Sequence, residues 1–203
     1  MLLLAALFLM GDLHMKEIVT VDSLESAVLR KKAELIQEDE LPLAKEIAGQ
    51  LYLSLEPHFP AAGLAAPQIG INKAVFIYSF DRNPEHFEMV INPVLTPVGE
   101  EKAEGWEGCF STMLCKTDLK VALVSRYEKI QVSYLDAEGK RVEKVLDGFE
   151  AKVFQHEYDH LQGIVNIDRK EASVKSFESK EELSSFMQQV KERDSHRYKK
   201  PIS

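Results

Sequence analysis

Cysteine is almost missing from this chain: Cys109 and Cys115 are the only two in 203 residues. Two thiols without a C-x-x-C pairing cannot build a disulfide scaffold. Such sparing use fits a reduced, cytoplasmic setting. A basic excess is missing too. Lys and Arg number 25 against 33 Asp and Glu, a formal charge of −8, so the chain lacks the cationic face that general nucleic-acid binding needs. No apolar run is long enough to cross a bilayer. The longest, Met1–Met10, has no Lys or Arg ahead of it and no small-x-small cleavage signal after it, so it does not read as a secretory leader. Repeats and low-complexity linkers are absent as well.

What is present is ordinary globular sequence, 45% hydrophobic and 29% charged. It begins near Met15, which is an alternative start. Residues 1–14 are expected to be an extra apolar segment and residues 15–203 a single domain, with 170–203 a charged C-terminal extension. A monomer without membrane or nucleic-acid partners is expected. Helical spacing runs through Ser23–Ile36, where Leu24, Val28, Leu29 and Ile36 recur and Ser23 can cap. A second helix is expected over Leu43–Leu55, with Leu43, Ile47, Leu51 and Leu55 in a stripe. The small residues of Ala61–Gly70 read as a loop.

Ala74–Ser79 and Glu88–Asn92 have the β-branched and aromatic content of strands. Lys129–Leu135 alternates and is expected to pair with Arg141–Leu146 across the turn Asp136-Ala137-Glu138-Gly139. Asp147 with Glu150 makes a capping-box start. The helix it opens should run to about Leu161, with Gly163 as its stop. Helices, then strands, then one motif-bearing helix give an α+β class, with antiparallel or mixed sheets around that central helix.

The motif is His156-Glu157-Tyr158-Asp159-His160, a match to H-E-x-x-H. Residues four apart stack on one helix face, so both imidazoles can reach one metal ion, and Glu157 points beside it. Phe149, Val153, His156 and His160 share helical spacing, which places the two imidazoles on the apolar stripe. The third ligand is less direct. Asn166 stands where one metalloprotease family has a third His. Glu171, Glu178, Glu181 and Glu182 could serve as the downstream Glu of a zinc peptidase, but they lie in a charged, surface-like stretch. The upstream alternative is Glu107-Gly108-Cys109-Phe110-Ser111.

Taken together, Gly63-Leu64-Ala65-Ala66-Pro67-Gln68, Glu107-Gly108-Cys109-Phe110-Ser111 and Gln155-His156-Glu157-Tyr158-Asp159-His160-Leu161 resemble the peptide deformylase family, over about Met15 to Lys170. The resemblance implies a metal held by Cys109, His156 and His160. It implies Glu157 as general base and acid, and Gln68 as a donor to the reacting carbonyl oxygen. It also implies ferrous iron in the cell, with zinc, nickel or cobalt in prepared protein. The substrate would be the formyl-methionine of nascent polypeptides, and the ribosome exit region an implied partner.

The chemistry is self-consistent. A bound dication would lower the pKa of its water, and Glu157 is placed to take that proton and return it to the departing amine. A backbone N–H near Phe110 would join Gln68 at the oxyanion. Gly63, Leu64, Gly108, Phe110 and Val153 are the expected substrate contacts. Arg126 is expected either to pair with a carboxylate or to lie near substrate, Asp159 to orient a ligand or face solvent, and Cys115 to be a plain thiol. The chain departs from the family pattern at Ala61, at Phe110 and along Thr112–Cys115, at the edge of the expected pocket. A catalytically inert, peptide-binding relative is the remaining alternative; retention of Glu157 and Gln68 argues against it.

Overall fold

In the computed structural model, residues 13–194 are described. The expectation for residues 1–14 therefore lies, but for its last two residues, outside them, as does the end of the C-terminal extension. Helix α1, Leu41–Leu55, starts with Pro42 in its first turn, where the missing N–H has no partner to lose. Its Ile47, Leu51 and Leu55 are fully buried. They lie against a five-stranded antiparallel sheet of β1 (Gly63–Ala65), β2 (Val75–Tyr78), β3 (Glu88–Pro97), β6 (Lys129–Leu135) and β7 (Arg141–Asp147), in the order β1-β2-β3-β6-β7. A second antiparallel sheet has the order β4-β5-β8, from Lys102–Gly108, Leu119–Tyr127 and Ser173–Phe177. Three further helices follow: the one-turn α2 (Phe110–Met113), α3 (Gly148–Leu161) and α4 (Lys180–Asp194).

Strand β2 explains the layering. All four of its residues are buried. Successive side chains point to opposite faces, so Val75 and Ile77 join the α1 core while Phe76 and Tyr78 join the core around α3. Phe154 of α3 meets the rings of Phe76 and Tyr78 edge-on, at 5.0 and 5.5 Å between centroids. The sheet is thus covered on both faces, and the motif-bearing helix is one of the covers.

The expected hairpin, the α3 span and the α+β class agree with this architecture. Asp147 occupies the N-cap position, but its side chain makes no capping hydrogen bond; Glu150 instead accepts from the Tyr78 hydroxyl at 3.2 Å. Gly163 closes the helix at φ +73°. A Cβ there would also sit 2.8 Å from the backbone carbons of Arg30 and Lys31, so glycine is required twice over.

Two expectations are corrected. Ser23–Ile36 holds only a 3-10 turn, Ser26–Arg30. Leu24 is exposed, while Leu29 and Ile36 are buried in two different clusters, so the apolar residues share no single face, and the segment runs as a strap held by long-range backbone bonds. Val19 N–H donates to Gln68 O at 2.8 Å, Val21 to Ser111 O at 2.9 Å and Ala33 to Leu161 O at 2.8 Å. The Asn92 side chain grips both backbone groups of Ile36. Ala61–Gly70 is likewise not all loop. It contains β1, in register with β2, and a 3-10 turn at Ala66–Ile69.

Candidate metal centre

Strand β4 brings Glu107 and Gly108 up to α3, and the extended residue Cys109 leads into α2. Helix α3 presents His156, Glu157 and His160 to that corner. The two imidazoles stand 5.1 Å apart between centroids, as four-residue spacing requires. Cys109 Sγ and one ring nitrogen of each His lie within 4.8 Å of one another, with Sγ 3.3 Å from His160 Nε2. That span suits donors around one ion bonded at about 2.0–2.3 Å. One thiol and two imidazoles suit iron or zinc rather than calcium or magnesium. The residues present therefore fit a divalent ion. Glu171, Glu178, Glu181 and Glu182 are all exposed and take no part in this cluster.

A buried ion-pair network orients one donor. Arg126 on β5 grips Glu107 bidentately, Nε to Oε1 at 2.9 Å and Nη2 to Oε2 at 2.8 Å. Glu107 Oε2 in turn lies 2.9 Å from His156 Nδ1. That contact leaves His156 Nε2 for an ion, the usual way a carboxylate sets a ligand histidine. Burial alone would raise Glu107, but the Arg126 guanidinium holds its carboxyl well below the usual range. Asp159 is buried and accepts from Arg126 and, at 2.6 Å, from Arg169. Of the two readings open for Arg126 the ion pair is the observed one, and Asp159 is not a solvated helix position.

Gln68 is 2% exposed. Its Oε1 accepts from Ala65 N–H at 3.0 Å, which turns Nε2 toward Ser111 Oγ at 3.2 Å and Cys109 Sγ at 3.5 Å. The amide is thus a donor pinned beside the cluster. Glu157 lies against β1. A Cβ on Gly63 would come within 2.6 Å of Glu157 Oε1, so only glycine leaves room for this carboxylate. Glu157 Oε2 is buried with no hydrogen-bond partner. Burial pushes its carboxyl up to about 7, against the pull of His156 and Arg126. Burial also lowers His160 well below the ordinary histidine value, with the charges of His156 and Arg126 acting in the same sense.

A cavity of about 470 Å³ opens onto the cluster, and Gly63, Gly108, Phe110 and Val153 line it as expected. Leu64 does not. It is fully buried in the α1 core, because β1 alternation turns its side chain to the same face as Ile77, its partner on β2. Met113 and Leu114 line the cavity. Thr112 beside them is buried and bonded to Lys120 O at 2.8 Å. Cys115 is buried under this wall, its Sγ 3.5 Å from Ser111 O. Sequence reasoning missed Arg82, Lys152 and the whole contribution of α4, whose Lys180, Leu183 and Met187 also face the cavity. The signal was there: Leu183, Phe186, Met187 and Val190 have helical spacing, hidden among charges.

Comparison with known proteins places the chain in a family. Residues 15–176 match the family model described as Polypeptide deformylase. The protein named peptide deformylase 1 of Nitrosomonas europaea is 41% identical over 111 residues, which span 51% of this chain and 60% of that protein. The crystal structure of peptide deformylase from Thermotoga maritima superposes with a TM-score of 0.65 at 33% identity, covering 77% of this chain and 97% of that one. A Met-Ala-Ser-bound class I type b peptide deformylase from Acinetobacter baumannii gives 0.66 at 28% identity, covering 77% and 99%. With a family match over most of its length and that site at its centre, the chain belongs to the peptide deformylase family.

Proposed function

We propose that this chain removes the N-formyl group from the formyl-methionine of nascent polypeptides, releasing formate and a free amino terminus, with residues 15–203 acting as one catalytic domain. The observation that carries the reading is the buried, partnerless Oε2 of Glu157, on a side chain that packs on Gly63 and follows His156 of the Cys109/His156/His160 donor set. An unsatisfied buried carboxylate oxygen is costly and makes sense where a water or substrate completes the site. In this reading Cys109, His156 and His160 hold the ion, which when bound supplies Lewis-acid polarisation and a water of lowered pKa. Glu157 takes the proton of the attacking water through Oε2 and returns it to the departing amine nitrogen. Gln68 Nε2 donates to the carbonyl oxygen as charge develops there. Gly108, Phe110 and Val153 shape the space for the methionine side chain. The Met-Ala-Ser peptide bound by the Acinetobacter relative is the kind of product this reaction would leave. Ferrous iron is the ion we assign in the cell, with zinc, nickel or cobalt able to replace it in prepared protein. We further assign a cytoplasmic monomer working near the ribosome exit. Among the described residues no helix is long and apolar enough to cross a membrane.

The test is formate release from a formyl-Met peptide by protein prepared anaerobically with ferrous ion. Glu157→Gln should keep the ion and lose at least about 100-fold in turnover, while Cys109→Ala should lose the ion as well. Tight ion binding by Cys109→Ala would move the assignment to another ligand set.

A further inference from the structure

The cavity mouth has a charge pattern that the hydrolysis itself does not require. Among its lining residues the cations are Arg82, Lys152 and Lys180, on three different elements of the fold. The lining acids are Glu107 and Glu157. The first is taken up by Arg126 and His156, and the second belongs to the proton transfer proposed above. On a chain of formal charge −8, the cavity lining thus presents Arg82 and Lys180 with no other lining acid to neutralise them.

Arg82 is the most informative of the three. It is partly buried, and its guanidinium stacks 5.0 Å from the centroid of the Phe149 ring. Among the described residues it makes no ion pair. The nearest carboxylate in sequence, Asp81, is already engaged by Ser79 Oγ at 2.8 Å, Asn83 N at 3.0 Å and His86 Nδ1 at 2.6 Å. The backbone at Arg82 is left-handed, φ 60°, a conformation that non-glycine residues adopt only where their surroundings hold them in it. The same turn is tied from Arg82 N to Ser79 O and from Ser79 Oγ to Asn83 O. A guanidinium set on a ring by a strained, cross-linked turn has a fixed place, unlike an ordinary solvated surface Arg. Since Arg82 has no ion pair of its own to give up, a carboxylate alongside would be gained and not merely exchanged. Lys152 is differently placed: it donates to Trp106 O at 3.1 Å. Lys180 starts α4, which lies beyond the stretch matched by the family model.

We propose that Arg82, assisted by Lys180, is a specificity-determining residue that receives a carboxylate side chain from one of the two residues following the formyl-methionine. The proposal rests on the deformylase reading. A peptide leaving the centre in extended form places its next side chains within the outer cavity, where Arg82 and Lys180 face it.

The experiment compares kcat/KM for formate release from four C-terminally amidated peptides at low salt: formyl-Met-Glu-Ala, formyl-Met-Gln-Ala, formyl-Met-Ala-Glu and formyl-Met-Ala-Gln. Amidation removes the terminal carboxylate, so only a side chain can supply the anion. The Glu peptide should exceed its Gln twin by about fivefold at one of the two positions, the size of a partly exposed ion pair. That ratio should shrink as salt is raised. It should fall to about one in Arg82→Gln and survive in Arg82→Lys, which keeps the charge. Equal rates for Glu and Gln peptides with the parent enzyme would overturn this inference alone. So would a Glu preference that persists unchanged in the Arg82→Gln, Lys180→Gln double variant. Absence of formate from all four peptides would overturn the deformylase reading and this inference with it.

Discussion

A single hydrogen atom in place of a methyl group decides where Glu157 can sit. The Gly63→Ala variant must push the carboxylate or the β1 backbone by several tenths of an ångström, since the new Cβ would lie 2.6 Å from Oε1. We expect turnover to fall by about 100-fold, because misplacing a reacting group by a fraction of an ångström to an ångström has that effect. The fold should persist. Formate assays beside a thermal melt decide it, and a variant with parental activity would show that Glu157 tolerates displacement. Arg126 makes the opposite point, that a residue outside the cavity can matter more for stability. Its side chain is 3% exposed and engages two buried carboxylates. Arg126→Met removes the shared cation and leaves Glu107 only His156 and Asp159 only Arg169, and a stability loss of about 3 kcal/mol is expected in urea. A loss below about 1 kcal/mol would place this network in the class of surface pairs. Much at this scale was readable beforehand. His156, Glu157 and His160 sit in a short motif whose spacing states their geometry, and Gln68 was reached through the family resemblance of its segment. Arg82 was not readable, because its meaning comes from a left-handed turn and an unpaired charge, neither of which has a local sequence mark.

Element by element, legibility followed how local the determining interactions are. The hairpin of β6 and β7 and the span of α3 depend on alternation, a turn and a glycine stop, all within a few residues of each other. The strap over residues 19–36 depends on acceptors far along the chain, so its apolar spacing pointed to a helix that does not form. Strand β4 was missed because Gly105 and Gly108 lower its strand character. Gly108 gives the Met113 side chain its place, since a Cβ there would come within 2.6 Å of Met113 Sδ and make that flexible side chain shift. Helix α4 has the clearest experimental consequence. Phe186 holds it down through ring contacts with Trp106 at 5.1 Å and Phe177 at 5.3 Å, and Leu183 and Met187 on the same helix form cavity wall. Phe186→Ala should cost about 2–3 kcal/mol, less than a fully buried Phe because the ring is only partly buried. It should also raise KM more than it lowers kcat, since it loosens a wall and leaves Cys109, His156, Glu157 and His160 untouched. A fall in kcat alone, at constant KM, would contradict the view of α4 as substrate-facing.

At the scale of the whole molecule, the ion site joins otherwise separate parts. One donor comes from the corner after β4, in the three-stranded sheet, and two come from α3, which covers the five-stranded sheet. An ion bound there ties the two sheets together and favours the folded chain by mass action, by about 4 kcal/mol at a thousand times its dissociation constant. Chelation should therefore lower Tm by roughly 10 °C in a chain of this size, and returning a divalent ion should restore it. A melt indifferent to chelator would mean that the folded state holds no ion. The strap adds a temporal consequence. Its donors at Val19, Val21 and Ala33 are translated first, yet their acceptors sit at Gln68, Ser111 and Leu161. The imidazoles, at His156 and His160, are among the later residues to appear. A chain still being made holds a thiol and an amide long before it holds a complete donor set, so both the ion site and the closure of the strap wait until synthesis has passed Leu161, the strap's last acceptor.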